Sequence, residues 1–295
     1  MEDYVIRAIA EKGTARAFIA LTTSLCDEAR RRHCTWPTAT AALGRLLTGA
    51  SMLGMTLKGQ DILTLRIQGE GPLSPLTAVG AAGGSVKGYV AEPQVHLPLS
   101  PVGKLDVGRA VGRRGILYLT RDYGLKEPYT GSVPLISGEI AEDLAQYFTI
   151  SEQTPSAVSL GVLVETDNSV KAAGGLILQL LPGASPELGK KLELNLKGLT
   201  SISSRLAGGM MPEDIGEEVF QGLEWKILQK QPLEFACDCS RSKLEKVLIS
   251  LGLEELESLL VQHQGAQLRC HFCNKTYDFS EDDLKKLILE LDSTR

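Results

Sequence analysis

Cys237-Asp238-Cys239, thirty intervening residues, and then Cys270-His271-Phe272-Cys273 make up the stretch on which the reading of this chain turns. Four of the six cysteines lie in these two pairs. Four thiolates match the tetrahedral preference of Zn²⁺, and a Cys-x-x-Cys turn lets two sulfurs reach one metal from a short arc of backbone. Cys-x-Cys is less usual, but in an extended segment residues i and i+2 project to the same face, so both sulfurs can converge on one ion. The separation between the pairs exceeds that of ordinary zinc ribbons, and the insert reads as helical. Ser240 or Ser242 can cap a first turn, and Leu244, Val247, Leu248 and Leu251 recur at helical spacing until Gly252 breaks the run. Leu256, Leu259 and Leu260 give a second stripe that runs to His263. After the second pair, Thr276-Tyr277-Asp278-Phe279 is strand-like, and Ser280 to Asp283 forms a capping box ahead of Leu284, Leu287 and Ile288.

A unit of about sixty residues with few aromatics is too small for a self-sufficient core. Residues 232–295 are therefore expected to fold as a zinc-binding domain around one Zn²⁺ per chain, with Cys237, Cys239, Cys270 and Cys273 as ligands. Structural zinc contributes about 10–16 kcal/mol of apparent binding free energy in small peptides, so folding and metal occupancy become one event. The spacing leaves two roles open. The site can be purely structural, or the thiolates can double as a redox sensor, because each pair could close a disulfide and oxidation destroys the ligands. His263 and His271 are read as neighbours of the site, since four sulfurs already complete it.

The 295 residues, 43% of them hydrophobic, suffice for one large domain plus a small one. A net charge of −5 argues against nucleic acid or an anionic membrane surface as a partner. The acidic start, Met1-Glu2-Asp3-Tyr4, has no apolar signal core, so a cytoplasmic protein is expected, and in that reducing compartment paired cysteines serve as metal ligands or transient redox groups.

From the N-terminus, Tyr4 to Ala10 and Ala15 to Leu21 read as a hairpin turning at Glu11-Lys12-Gly13. A helix from Leu25 to His33 carries Cys26 and the run Arg30-Arg31-Arg32-His33 beside Cys34, which reads as a solvated basic face. Thr38 to Leu57 is long and apolar, but Arg45, its hydroxyls and its glycines indicate a helix buried by close packing rather than a membrane span. Short apolar runs follow at 62–68, 76–82, 86–90 and 116–120, then an amphipathic helix at 140–148, then strands at 158–165 and 170–181. The expectation is an α+β fold: a mostly antiparallel sheet domain with packed helices over 1–181, a metastable helical linker over 182–231, and the small zinc domain. In the linker, Ser185-Pro186-Glu187 opens a helix whose stripe is Leu188, Leu192, Leu199, Ile202 and Leu206, stopped by Gly208-Gly209. A short helix over 212–220 and a strand over 223–228 complete it.

No dinucleotide fingerprint, phosphate loop, nucleophile elbow or zinc-protease helix is present, and nothing assembles a catalytic constellation, so no enzyme is expected. A zinc-ribbon nucleic-acid binder would need a basic face near the cysteines, whereas 280–295 is net acidic. A thiol–disulfide oxidoreductase would need its Cys-x-x-Cys in a thioredoxin-like strand–helix setting.

Several phrases resemble the redox-regulated holdase chaperones of bacteria, the thirty-three-kilodalton heat-shock proteins. Besides the cysteine pairs they are Pro-Thr-Ala-Thr-Ala-Ala-Leu-Gly-Arg-Leu-Leu at 37–47, Gly-Lys-Leu-Asp-Val-Gly at 103–108, Glu-Pro-Tyr-Thr-Gly-Ser-Val-Pro-Leu at 127–135, Ser-Gly-Glu-Ile-Ala-Glu-Asp-Leu at 137–144 and Ser-Glu-Gln-Thr-Pro-Ser-Ala-Val at 151–158. The resemblance implies an ATP-independent chaperone that is zinc-bound and inactive when reduced, and that binds unfolded client proteins when oxidised. It also implies Cys237–Cys239 and Cys270–Cys273 disulfides, zinc release, linker unfolding and a homodimer in the oxidised state.

Overall fold

The computed structural model describes residues 2–95, 97–199 and 201–293. It divides into two units, Met1–Ala236 and Cys237–Arg295.

In the first unit β1 (Tyr4–Ala10) and β2 (Ala15–Leu21) form the expected hairpin. α1 (Thr23–His33) begins on the carboxylate of buried Asp3, which accepts the N–H groups of Ser24 at 3.2 Å and Leu25 at 2.6 Å. Pro37 sits in the first turn of α2 (Pro37–Gly54), a position where its missing N–H costs nothing. β3 (Ile62–Gly69), β4 (Leu76–Ala81), β5 (Ser85–Val90), α3 (Val107–Val111), β6 (Gly115–Asp122), β7 (Tyr129–Pro134), α4 (Ala141–Ile150), β8 (Ser156–Val164) and β9 (Val170–Leu180) follow. The chain then forms α5 (Pro186–Lys197), α6 (Ile202–Ala207), α7 (Pro212–Val219), β10 (Trp225–Pro232) and β11 (Glu234–Phe235).

The apolar runs build two sheets, ordered β10-β1-β2-β9-β8 and β11-β5-β4-β3-β6-β7. Pairing is antiparallel except for the short β11–β5 ladder. α2 packs against strands of both sheets, which is why it is buried on nearly every side. Glycines of the facing strands permit that approach: a Cβ on Gly80 of β4 would stand 2.5 Å from the Ala50 carbonyl oxygen, and one on Gly175 of β9 would stand 2.9 Å from Met52 and Thr48. The apolar length at 38–57 thus reflects a helix flanked by sheets, and among the described residues no helix is long and apolar enough to cross a membrane.

β7, α3, β11 and, in the second unit, the strand Gly265–Arg269 escape the sequence pattern. β7 is an edge strand on which only Gly131 and Val133 are buried, and α3 has five residues, too few to show a period. The linker stripe is also not one helix. α5 ends at Lys197 and α6 starts at Ile202, yet Leu188, Leu192, Ile202 and Leu206 still enter one core with Ile215, Val219 and Phe220, packed on Tyr4, Ile6, Ile19 and Leu176 of the five-stranded sheet. Fully burying such side chains stabilises by about 1.5–3 kcal/mol each. β10 then returns along β1 with a register shift between Arg7 and Ala8.

The second unit contains α8 (Arg241–Leu251), α9 (Leu253–His263), β12 (Gly265–Arg269), β13 (Thr276–Ser280) and α10 (Glu281–Ser293). Ser240 caps α8 by accepting the Lys243 N–H, and the Ser280–Asp283 box caps α10 reciprocally. Its core is Leu248, Leu256, Phe279, Leu284 and Leu287. Of the expected α8 stripe only Leu248 is buried, while Val247 and Leu251 are 48% and 50% exposed, because a single thin layer cannot cover both flanks of the helix.

Candidate metal centre

Two backbone segments deliver the four sulfurs. Cys237 and Cys239 lie in the irregular stretch that leads to the Ser240 cap of α8, and Cys270 and Cys273 lie in the turn between β12 and β13. The antiparallel register from Gly265↔Ser280 to Arg269↔Thr276 fixes that turn. Within it the Cys270 N–H donates to the Lys275 carbonyl at 2.9 Å and the Asn274 N–H to the Cys270 carbonyl at 2.8 Å. Asn274 takes φ 63°, a left-handed conformation that asparagine adopts more readily than most residues, and this closes the knuckle.

All four Sγ atoms lie within 4.8 Å of one another. Cys237 Sγ is 3.7 Å from Cys270 Sγ, and Cys239 Sγ is 3.3 Å from Cys273 Sγ. Four sulfurs each about 2.3 Å from a tetrahedral centre would stand about 3.8 Å apart, so the donor set and its dimensions fit one metal ion. All six cysteines are free thiols. The contacts join one pair to the other, so the cluster clips the segment before α8 to the β12–β13 turn. Cys270 and Cys273 are buried, while Cys237 and Cys239 are half-buried.

Electrostatics differ among the sulfurs. Burial raises the Cys237 thiol to about 12, and the adjoining Cys239 and Cys270 thiols add to that rise. Burial would raise Cys239 too, but hydrogen bonds from the Tyr277 hydroxyl and the neighbouring thiols outweigh it and bring the group down to about 7. Cys239 is thus the sulfur best prepared to be a thiolate, the form that binds metal and attacks oxidants. Tyr277, which the sequence offered only as a strand residue, shares its single hydroxyl proton between Cys239 Sγ at 3.3 Å and the Cys239 carbonyl at 3.2 Å. Nothing in its sequence context marks it, since the contact depends on β13 register. Arg241 braces the same region, stacking 4.4 Å from the Phe279 ring centroid and pairing with Asp283 at 2.8 Å. Neither His263 nor His271 joins the four-sulfur group.

The remaining cysteines lie outside the cluster. Cys26 is buried against Gly44 and Thr48 of α2, and burial raises its thiol to about 12. Cys34 is exposed at the end of α1, its Sγ 3.7 Å from the Arg31 carbonyl. The arginine run beside it is largely neutralised within α1, Arg30 and Arg31 by Asp27 and Arg31 and Arg32 by Glu28.

A two-sheet α+β body with a separate four-cysteine unit able to hold a metal ion defines a class of two-part proteins. Comparison with known proteins narrows the class. The family model described as Hsp33 protein matches residues 3–280. A 33 kDa chaperonin of Desulforamulus reducens is 53% identical over 99% of this chain and 99% of its own, and one of Clostridium perfringens is 48% identical over 98% and 92%. The crystal structure of the 33 kDa chaperonin (heat shock protein 33 homolog) of Thermotoga maritima superposes with a TM-score of 0.93 at 38% identity, covering 99% of this chain and 100% of that one. The chain belongs to the Hsp33 family of chaperones.

Proposed function

We propose that this chaperone is a redox-regulated, ATP-independent holdase of the cytoplasm whose switch is Cys237, Cys239, Cys270 and Cys273. The observation that carries the reading is the cross-joined sulfur cluster within a unit whose core holds five buried apolar side chains. Zn²⁺, one per chain, would hold the four groups as thiolates and crosslink the two segments that present them. Closing Cys237–Cys239 and Cys270–Cys273 from thiolates would pass two electrons per bridge to an oxidant such as hydrogen peroxide, which takes two protons from solvent and becomes two waters, and would remove all four ligands. The unit from 232 onward then loses its dominant support. Residues 182–231, docked mainly through Leu188, Leu192, Ile202, Leu206 and Ile215, undock next, and the freed apolar surface takes up unfolded chains while oxidised protomers pair.

The test measures zinc release, thiol loss and suppression of client aggregation together during peroxide titration. The three should change in concert, and Leu192→Ser should suppress aggregation while reduced and zinc-loaded, with the 1–181 body still resistant to proteolysis. Aggregation suppression that is complete before any zinc leaves would overturn the switch. A Leu192→Ser protein shown by hydrogen exchange to be undocked yet inactive until oxidised would remove the linker from it.

A further inference from the structure

In the five-stranded sheet the even-numbered residues of β1 face the linker helices, so Val5, Arg7 and Ile9 look the other way. Register places Arg7 opposite Phe18 and Arg16 opposite Ile9, which puts the two guanidinium side chains diagonally adjacent on that second face. Both are part-buried. The Nε of each is shut off from solvent without an acceptor. Arg16 donates through Nη2 to Gln179 at 2.6 Å and stacks 5.1 Å from the Phe18 ring centroid. Among the described residues neither arginine has a carboxylate oxygen in ion-pair contact, and Glu152 acts on Arg16 only through its charge. Arg45 and Arg205 also bury an unpaired Nε, but they hold Glu139 and Glu218. The nearby carboxylate, Glu152, is taken by Arg121 at 2.5 Å. On the same face, opposite Val5 and diagonal to Arg7, Gln231 is 9% exposed and its Nε2 also lacks an acceptor.

The unmet hydrogen-bonding capacity on this face is thus entirely of donors, and two like charges stand side by side in partial burial, which costs free energy unless an anion compensates. Burial and then the charge of Arg7 lower the Arg16 pKa, and the more distant Glu152 carboxylate opposes them only in part. Paired guanidinium forks match the oxygens of a phosphate group. We propose that Arg7 and Arg16 form an anion site on the five-stranded sheet that takes a small phosphate-bearing molecule. Because β1 and β2 carry the docked linker on their opposite face, the site reports directly to that platform, although nothing in the proposal depends on the cysteine switch.

The experiment titrates inorganic phosphate and pyrophosphate into reduced, zinc-loaded full-length protein, followed by calorimetry and by thermal unfolding. Wild type should bind one equivalent and unfold at a higher temperature as ligand rises. Arg7→Gln and Arg16→Gln should each lower affinity at least tenfold, Arg16→Lys should lose most of it although charge is kept, and the exposed Arg113→Gln should behave as wild type. Without ligand, Arg7→Gln should be at least as stable as wild type, because a like-charge contact is removed. Absence of binding in wild type, or equal binding in Arg7→Gln and Arg113→Gln, overturns the proposal. Should both glutamine variants fail to fold, Arg16→Lys against Arg113→Gln decides it.

Discussion

Leu46, Leu47 and Met52 of α2 have no exposed surface, whereas Val247, Leu251 and Val261 of the cysteine unit are 48%, 50% and 80% exposed. Both units use antiparallel ladders and short helices, so secondary structure does not separate them. The difference lies in how many layers a helix finds around it. α2 meets two sheets, while the helices of the cysteine unit share one two-stranded ladder and a core of five side chains. A body of the first kind keeps its fold by apolar burial, and a unit of the second kind must borrow stability from its ligands. The proposed redox switch needs that inequality, because in it the cysteine unit has to fail first.

The largest expected effect tests the borrowed stability. Chelation, or Cys270→Ser, should remove on the order of 10 kcal/mol from the cysteine unit. Amide protection across 241–291 should vanish while that of α2 persists in the same hydrogen-exchange run, and protection that survives without metal would show the small core to be sufficient. Next, Leu47→Ala should cost the body about 2–5 kcal/mol and lower its denaturant midpoint, with zinc stoichiometry unchanged. A parallel fall in zinc affinity would mean the two units are not energetically separate.

The smallest effect concerns the linker, which shares the body's means of support but adds a polar latch. Glu213 at the start of α7 accepts the Tyr4 hydroxyl at 2.5 Å and the Lys230 ammonium at 2.9 Å, and that ammonium lies 3.7 Å from the Tyr4 ring centroid. Burial would raise the Glu213 carboxyl, but those hydrogen bonds outweigh it and hold the group below its ordinary 4.5. A carboxylate depressed in the folded state contributes stability that is present above its unfolded pKa and lost as pH falls through the folded value. Exchange in α7 should therefore accelerate below about pH 4.5, more in wild type than in Glu213→Gln, whose loss at neutral pH should be no more than about 1 kcal/mol because the group is partly solvated. Identical pH profiles would show the latch to be idle.

Much of this was readable from residue order. The hairpin at 4–21, the buried helix after Pro37, the capped helices at Ser185 and Ser240 and the grouping of Cys237, Cys239, Cys270 and Cys273 each follow from local chemistry. The division into two sheets was not, because strands that alternate alike do not announce their partners, and the choice is made by where α2 lies. The family-like phrases also prove to be junctions rather than sites. Buried Asp143 accepts the N–H groups of Ile136, Ser137, Gly138 and Ile140, and Glu139 accepts the Gly108 N–H and holds Arg45. Gly131 leaves room for Tyr147, on which a Cβ would stand 2.5 Å from the hydroxyl oxygen. Tyr277, the thiolate's partner, stayed hidden because its role exists only once the β12–β13 register is set.

The pairing of β1 with β10 has a consequence for synthesis. β2 is translated directly after β1 and can cover one of its edges at once, but β10, which covers the other edge, is translated more than two hundred residues later. At about 5–20 residues per second that edge stays open for tens of seconds on every nascent chain. An uncovered strand edge is a template for pairing with another chain, so this chaperone is itself open to aggregation while it is being made.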